Sequence, residues 1–217
     1  MSKTDAGNVL LDPDDALLLL IDHQSGLIQT VRDISVAELC TNAAVLARVA
    51  TLLKIPIITT ASVPDGPNGP LIADIVHNAP HALFVPRHGE VNAWDSDDFV
   101  RAVHATGKRT LIIAGIWTSV CVAFPALSAL AQGYRVYAVI DASGDPSPMV
   151  SHITLARLTQ AGVIPSSTNS VVAELQKTWN RPEAGEFAEI YGDMVPSYRA
   201  VVESYRSAQV VAGQRPK

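Results

Sequence analysis

Several protein classes are excluded by what this chain has little of. Only two of its 217 residues are cysteine, Cys40 and Cys121. They fall in different predicted units, so no disulfide framework is available, and reduced thiols in the cytoplasm are the expectation. Charged residues are 17% of the chain and the net charge is −5, which argues against nucleic acid as a partner, since such surfaces carry basic patches. No apolar run approaches the ~20 residues of a membrane span. The opening segment MSKTDAGNVLLDPDDALLLLID flanks a short apolar run with acidic residues, unlike a secretory signal. No G-x-G-x-x-G follows the first predicted strand, and G-x-S-x-G is missing, which disfavours a dinucleotide site and a serine α/β-hydrolase. Gly107-Lys108 ends like a phosphate loop, but Ala102 stands where the earlier glycine belongs and Arg109 replaces the Ser/Thr. Histidines 77 and 81 are four apart, but Pro80 breaks any helix that would present them together. No metal and no cofactor are expected.

What is present is a 48% hydrophobic chain, enough for one sizeable core. Short apolar runs alternate with amphipathic stretches from end to end. The predicted strands are Ala16–Ile21, Ile55–Thr60, Leu83–Pro86, Thr110–Ala114, Tyr134–Ile140 and Gly162–Ser166. Helices are predicted over Ser35–Lys54, Leu71–His77, Ser96–Thr106, Cys121–Gln132, Pro148–Gln160 and Asn169–Trp179. Residues 1–15 are expected to run over the surface. From about residue 182 the chain reads as a helical tail, with one helix over Pro196–Val211. The expected fold class is α/β: one domain over 1–217, a three-layer αβα sandwich with a doubly wound, mainly parallel sheet of about six strands.

Three chemically capable side chains fall at predicted strand ends: Asp22, Arg87 and Cys121. Open α/β sheets bind ligands at that edge. A cysteine entering a helix there can have a depressed pKa, and the thiolate is the nucleophilic form; a buried structural cysteine is the alternative. Asp22 reads equally as a turn or N-cap residue. A carboxylate beside a thiol can accept its proton, and a neighbouring cation stabilises the thiolate.

The stretches LLLIDHQSGLIQTVRDI, GPNGPL, PRHGEVNAWDSDDFVRAVHATGKRTLIIAG and TSVCVAFPALSALAQGYRVYAVIDASG resemble the isochorismatase-like cysteine hydrolases, in particular the YcaC-like branch, over about Leu11 to Tyr205. The resemblance implies that Cys121 is the nucleophile, Asp22 the general base and later acid, and Arg87 the third member, where the wider family carries lysine. It also implies a cis peptide at Ile116–Trp117 and an oxyanion hole made by the N–H groups of Trp117 and Cys121. Nicotinamidases of the superfamily carry an Asp-x-His metal motif where this chain has Asp65-Gly66-Pro67. The implied activity is metal-independent hydrolysis of a small amide or related C–N bond through a thioester. The competing readings are vinyl ether hydrolysis without a covalent step, and a non-catalytic binding or assembly protein. Asn92, Trp94 and Phe124 are candidates for the substrate pocket, though aromatic residues near a sheet edge are often core. A ring-like homo-oligomer, an octamer, is implied as well, and the tail residues Tyr198, Val201, Val202 and Tyr205 are compatible with subunit packing.

Overall fold

The computed structural model describes residues 10–213. Six strands form one parallel sheet in the order β3-β2-β1-β4-β5-β6: β1 (Ala16–Ile21), β2 (Ile57–Ser62), β3 (Leu83–Arg87), β4 (Thr110–Gly115), β5 (Arg135–Val139) and β6 (Ile164–Ser166). The two central strands, β1 and β4, are buried at every residue. Leucine has no strong strand preference, so the run Leu17–Leu20 is a strand because both faces of a parallel sheet are covered and accept an uninterrupted apolar segment. Each fully buried leucine contributes roughly 1.5–3 kcal/mol.

One face of the sheet is covered by α3 (Asp97–Ala105), α4 (Ala123–Ala131) and α5 (Pro148–Ala161). Phe99, Val103, Ala126, Ala129 and Leu158 of these helices form one buried cluster with Leu17, Leu19, Ile21, Leu111 and Ile113 of the strands. On the sheet also packs α1 (Val36–Leu52), against β1 and β2, with the short α2 (Ala73–Asn78) beside it. The expected doubly wound α/β architecture is therefore present.

Local chemistry sets the boundaries. Ser96 caps α3, its Oγ accepting the Phe99 N–H at 3.4 Å, as its position before two acidic residues suggests. Helix α5 stops at Gly162, which takes φ +98°, so β6 begins at Ile164 and not at the expected Gly162. Strand β2 starts two residues late, after Pro56, which has no N–H to donate. At residues 10–15 the chain is not all surface: Leu11 is buried and its N–H donates to Glu174 Oε2 at 2.8 Å. The same expectation for residues 1–9 lies outside the described residues.

The chain divides into two compact units, one ending at Leu175 and one beginning at Gln176. The helix α6 (Thr168–Gln176) closes the first. The second holds two helices where the sequence suggests one, α7 (Ala184–Met194) and α8 (Pro196–Gly213). They pack through Tyr191 against Tyr198, ring centroids 5.9 Å apart, and an ion pair joins Arg199 to Asp193. Helix α8 has no buried residue, and Val201 and Tyr205 are each 63% exposed. Among the described residues no helix is long and apolar enough to cross a membrane.

Candidate active site

The strand order reverses direction between β1 and β4. Open α/β sheets leave a crevice at that point, beyond the carboxyl ends of the strands. Asp22 follows β1 there, and the turn after β4 carries Cys121. Gly115 allows the two strands to meet: a Cβ on it would lie 2.4 Å from the Ile21 carbonyl oxygen.

Asp22 is 1% exposed and has φ +58°, a left-handed conformation that aspartate tolerates better than most residues. Its carboxylate receives the Ser62 N–H at 3.0 Å on Oδ1, and the Arg87 guanidinium on both oxygens. Arg87 reaches it from β3, two strands away across β2. Neighbouring strands are spaced by about 4.8 Å, so only a long side chain can make that crossing. The crossing is braced throughout: Nε donates to Thr60 Oγ1 of β2 at 3.2 Å, and Nη1 donates to the carbonyls of Glu90 at 2.6 Å and Val91 at 3.2 Å.

Cys121 lies in a π-helical turn, Thr118–Val122, that precedes α4. The helix expected to begin at Cys121 thus begins one turn earlier, and the cysteine is inside it. The N–H groups of Val120, Cys121 and Val122 converge on the Trp117 carbonyl at 3.1, 2.8 and 3.3 Å. The Ile116–Trp117 peptide is cis. Of the two N–H groups implied for an oxyanion hole, that of Trp117 bears on the Cys121 sulfur, whereas that of Cys121 is engaged with the Trp117 carbonyl.

The electrostatics correct one expectation. A depressed thiol pKa was expected from the cysteine's place at a helix start. Burial instead pushes the Cys121 thiol up, and the Asp22 charge and a hydrogen bond to the Asp22 carboxylate add to the rise. Arg87 and the Trp117 backbone oppose it with less effect. The resting pair is a buried thiol set against a carboxylate, with the cation committed to the carboxylate.

Other polar side chains brace the strand ends. Gln24, fully buried, shares the Ser62 N–H with Asp22 and donates to the carbonyls of Ser62 and Gly69. His23 donates from Nε2 to the Ala142 carbonyl at 2.9 Å, and burial lowers its pKa to about 4. Asp141, at the end of β5, accepts the Thr168 N–H and hydroxyl and so caps α6. The three pocket candidates have structural occupations. Asn92 caps the turn Ala93–Asp95, accepting the Trp94 N–H at 3.1 Å. Trp94 is buried edge-on between Phe99 and Tyr134 in the cluster that also holds Cys121. Phe124 lies half-buried under the Arg157 guanidinium, 5.8 Å from its ring centre. Among the described residues no group of three or more His, Cys, Asp or Glu side chains is arranged to hold a metal ion.

Comparison with known proteins identifies the family. Residues 16–170 match the model of the isochorismatase domain. The chain is 43% identical over 197 residues to the Escherichia coli protein described as probable hydrolase YcaC, covering 91% of this chain and 94% of that one. It superposes on Pseudomonas aeruginosa YcaC, solved with hexane-2,5-diol and covalent acrylamide, with a TM-score of 0.89 and 44% identity, covering 93% of this chain and 99% of that one. It also superposes on E. coli YcaC, described as an octameric hydrolase of unknown specificity, with a TM-score of 0.90 and 42% identity, covering 94% of this chain and all of that one. The chain belongs to the isochorismatase family, and within it resembles the YcaC hydrolases.

Proposed function

We propose that this chain is a metal-independent cysteine hydrolase acting on a small-molecule amide or related C–N bond. The observation that carries the reading is the buried thiol of Cys121 set against an Asp22 carboxylate that Arg87 holds in place. Asp22 takes the proton as Cys121 Sγ adds to the substrate carbonyl carbon. The oxyanion is met by the Trp117 N–H, with the Cys121 N–H shared between it and the Trp117 carbonyl; each such donor is worth ~100-fold or more in rate. The C–N bond breaks, and Asp22 returns the proton to the leaving amine. Water then attacks the thioester with Asp22 again as base, giving a carboxylic acid and restoring the thiol. Arginine stays protonated, so Arg87 orients Asp22 and carries no proton.

A pushed-up thiol suits this cycle. The sulfur stays protonated until the substrate arrives, and the base that takes the proton faces it. The covalent acrylamide on the Pseudomonas relative is the kind of adduct a reactive nucleophile gives with an electrophilic amide. In this chain we assign that reactivity to Cys121. We also propose that the chain works in the cytoplasm as a homo-octamer, the assembly described for the E. coli relative.

A panel of small amides, assayed for amine release with hydroxylamine present to trap the thioester as a hydroxamate, tests the reading. Cys121→Ala and Asp22→Asn are expected to lower turnover by about 1000-fold and to abolish the hydroxamate. Activity on an enol ether that survives Cys121→Ala would replace this reading with hydrolysis free of a covalent step.

A further inference from the structure

Asp145, in the loop between β5 and α5, is fully buried and joins three segments around the nucleophile turn. Its Oδ1 accepts both the Ser119 N–H at 3.1 Å and the Ser119 hydroxyl at 2.6 Å. Its own N–H donates to Asp33 Oδ1 at 2.7 Å, and its carbonyl accepts the Arg32 N–H at 2.9 Å. The preceding Gly144 carbonyl accepts the Thr118 N–H at 3.0 Å. The loop is tightly seated: a Cβ on Gly144 would lie 2.7 Å from Val31 Cγ1 and 2.8 Å from Leu39 Cδ1.

The first N–H groups of a helix have no partners within it. Here the first two, of Thr118 and Ser119, are both taken by the loop after β5, so this helix start is capped by a carboxylate far away in the chain. With those two fixed, the next three N–H groups are left to converge on the Trp117 carbonyl, and the middle residue of the three, Cys121, is placed facing Asp22. We propose that Asp145 is a positioning residue of the active site, holding the Cys121 turn through Ser119. The proposal rests on the reading of Cys121 as the reacting group. Hydrogen bonds to a carboxylate are about twice as strong as neutral ones, which suits a clamp on a turn that must keep a thiol aligned. Burial raises the Asp145 carboxyl, and the two bonds from Ser119 oppose the rise.

The test is the rate of Cys121 alkylation by iodoacetamide against pH, in the full-length chain with Cys40→Ser. The titratable and charged groups acting on Cys121 are Asp22 and Arg87, and both stay intact. Asp145→Ala frees the turn, relaxes the burial that holds the thiol up, and moves the alkylation midpoint down by about one unit, roughly tenfold faster alkylation on the acid side of the midpoint. Ser119→Ala moves it in the same direction by less. Asp145→Asn and Ser119→Thr keep the acceptor and the hydroxyl and restore the parent profile. Leu46→Ala in α1, which lowers stability away from the turn, leaves the midpoint unmoved. A parent-like profile in Asp145→Ala, or an equal shift in Leu46→Ala, overturns the proposal. If Asp145→Ala does not fold, Ser119→Ala decides alone, and an unshifted profile overturns it. If Cys121 were not the catalytic group, turnover would survive Cys121→Ala, an outcome separate from any of these profiles.

Discussion

Arg87 holds both carboxylate oxygens of Asp22 across the full width of β2, and neither side chain is open to solvent. Removing one partner of a buried ion pair strands the other. Arg87→Ala is therefore expected to cost roughly 3–5 kcal/mol, read from urea denaturation at neutral pH. Arg87→Lys keeps the charge but cannot reach Asp22, Thr60 and the two carbonyls at once, so its loss falls between the parent and Arg87→Ala. A parent-like stability for Arg87→Ala would show that the pair does not support the fold.

Gly115 is predicted to be irreplaceable for packing reasons. Even the methyl of Gly115→Ala would collide with the Ile21 backbone oxygen, 2.4 Å from the new Cβ, and backbone in the two central strands cannot yield as a flexible side chain would. The variant is expected to lose several kcal/mol, about the scale of overpacking a tight core, or to be insoluble. A melting temperature within a degree or two of the parent would contradict this.

His23 makes stability depend on pH. Its folded pKa of about 4 lies below the ordinary 6.5, so between those values the unfolded chain binds the extra proton. The contribution of neutral His23 is complete above pH 6.5 and is lost as pH falls toward 4, about 3 kcal/mol in all. Denaturation measured from pH 7.5 to 4.5 should show a shallower decline in His23→Gln than in the parent. Equal slopes would mean that His23 is not buried neutral.

Light scattering tests the assembly. An octamer of this chain has a mass of roughly 185 kDa, eight copies of 23.1 kDa in a closed symmetric ring. A monomer across the micromolar range would set this chain apart from the octameric E. coli relative.

The fold was legible because the central strands are unbroken apolar runs and the chain alternates regularly around them. The three strand-end side chains were legible for the same reason, since strand ends fix the crevice. Helix α7 is not marked off within the tail by the sequence: Gly185 and Gly192 lie in AGEFAEIYGDM, and glycine disfavours a helix interior. Asp145 carries no sequence signature because its partners, Ser119, Asp33 and Arg32, are distant in sequence, and no local pattern marks a carboxylate that caps a helix from another loop. The direction of the Cys121 shift was misjudged because helix position is local, whereas burial and the Asp22 charge are set by tertiary structure.

Alkylation of Cys121 by iodoacetamide against pH, in a Cys40→Ser background, tests the central pairing most directly, because displacement of iodide needs no proton donor. The account predicts a midpoint above the ordinary thiol value of about 8.5. Asp22→Asn, which removes the opposing charge, should lower it, and Arg87→Ala, which removes the cation, should raise it further. Asp22→Asn would then ionise the thiol more readily and still lose turnover, since the base is gone. A parent midpoint at or below the ordinary value, or a profile indifferent to Asp22→Asn, would contradict a thiol held protonated against Asp22.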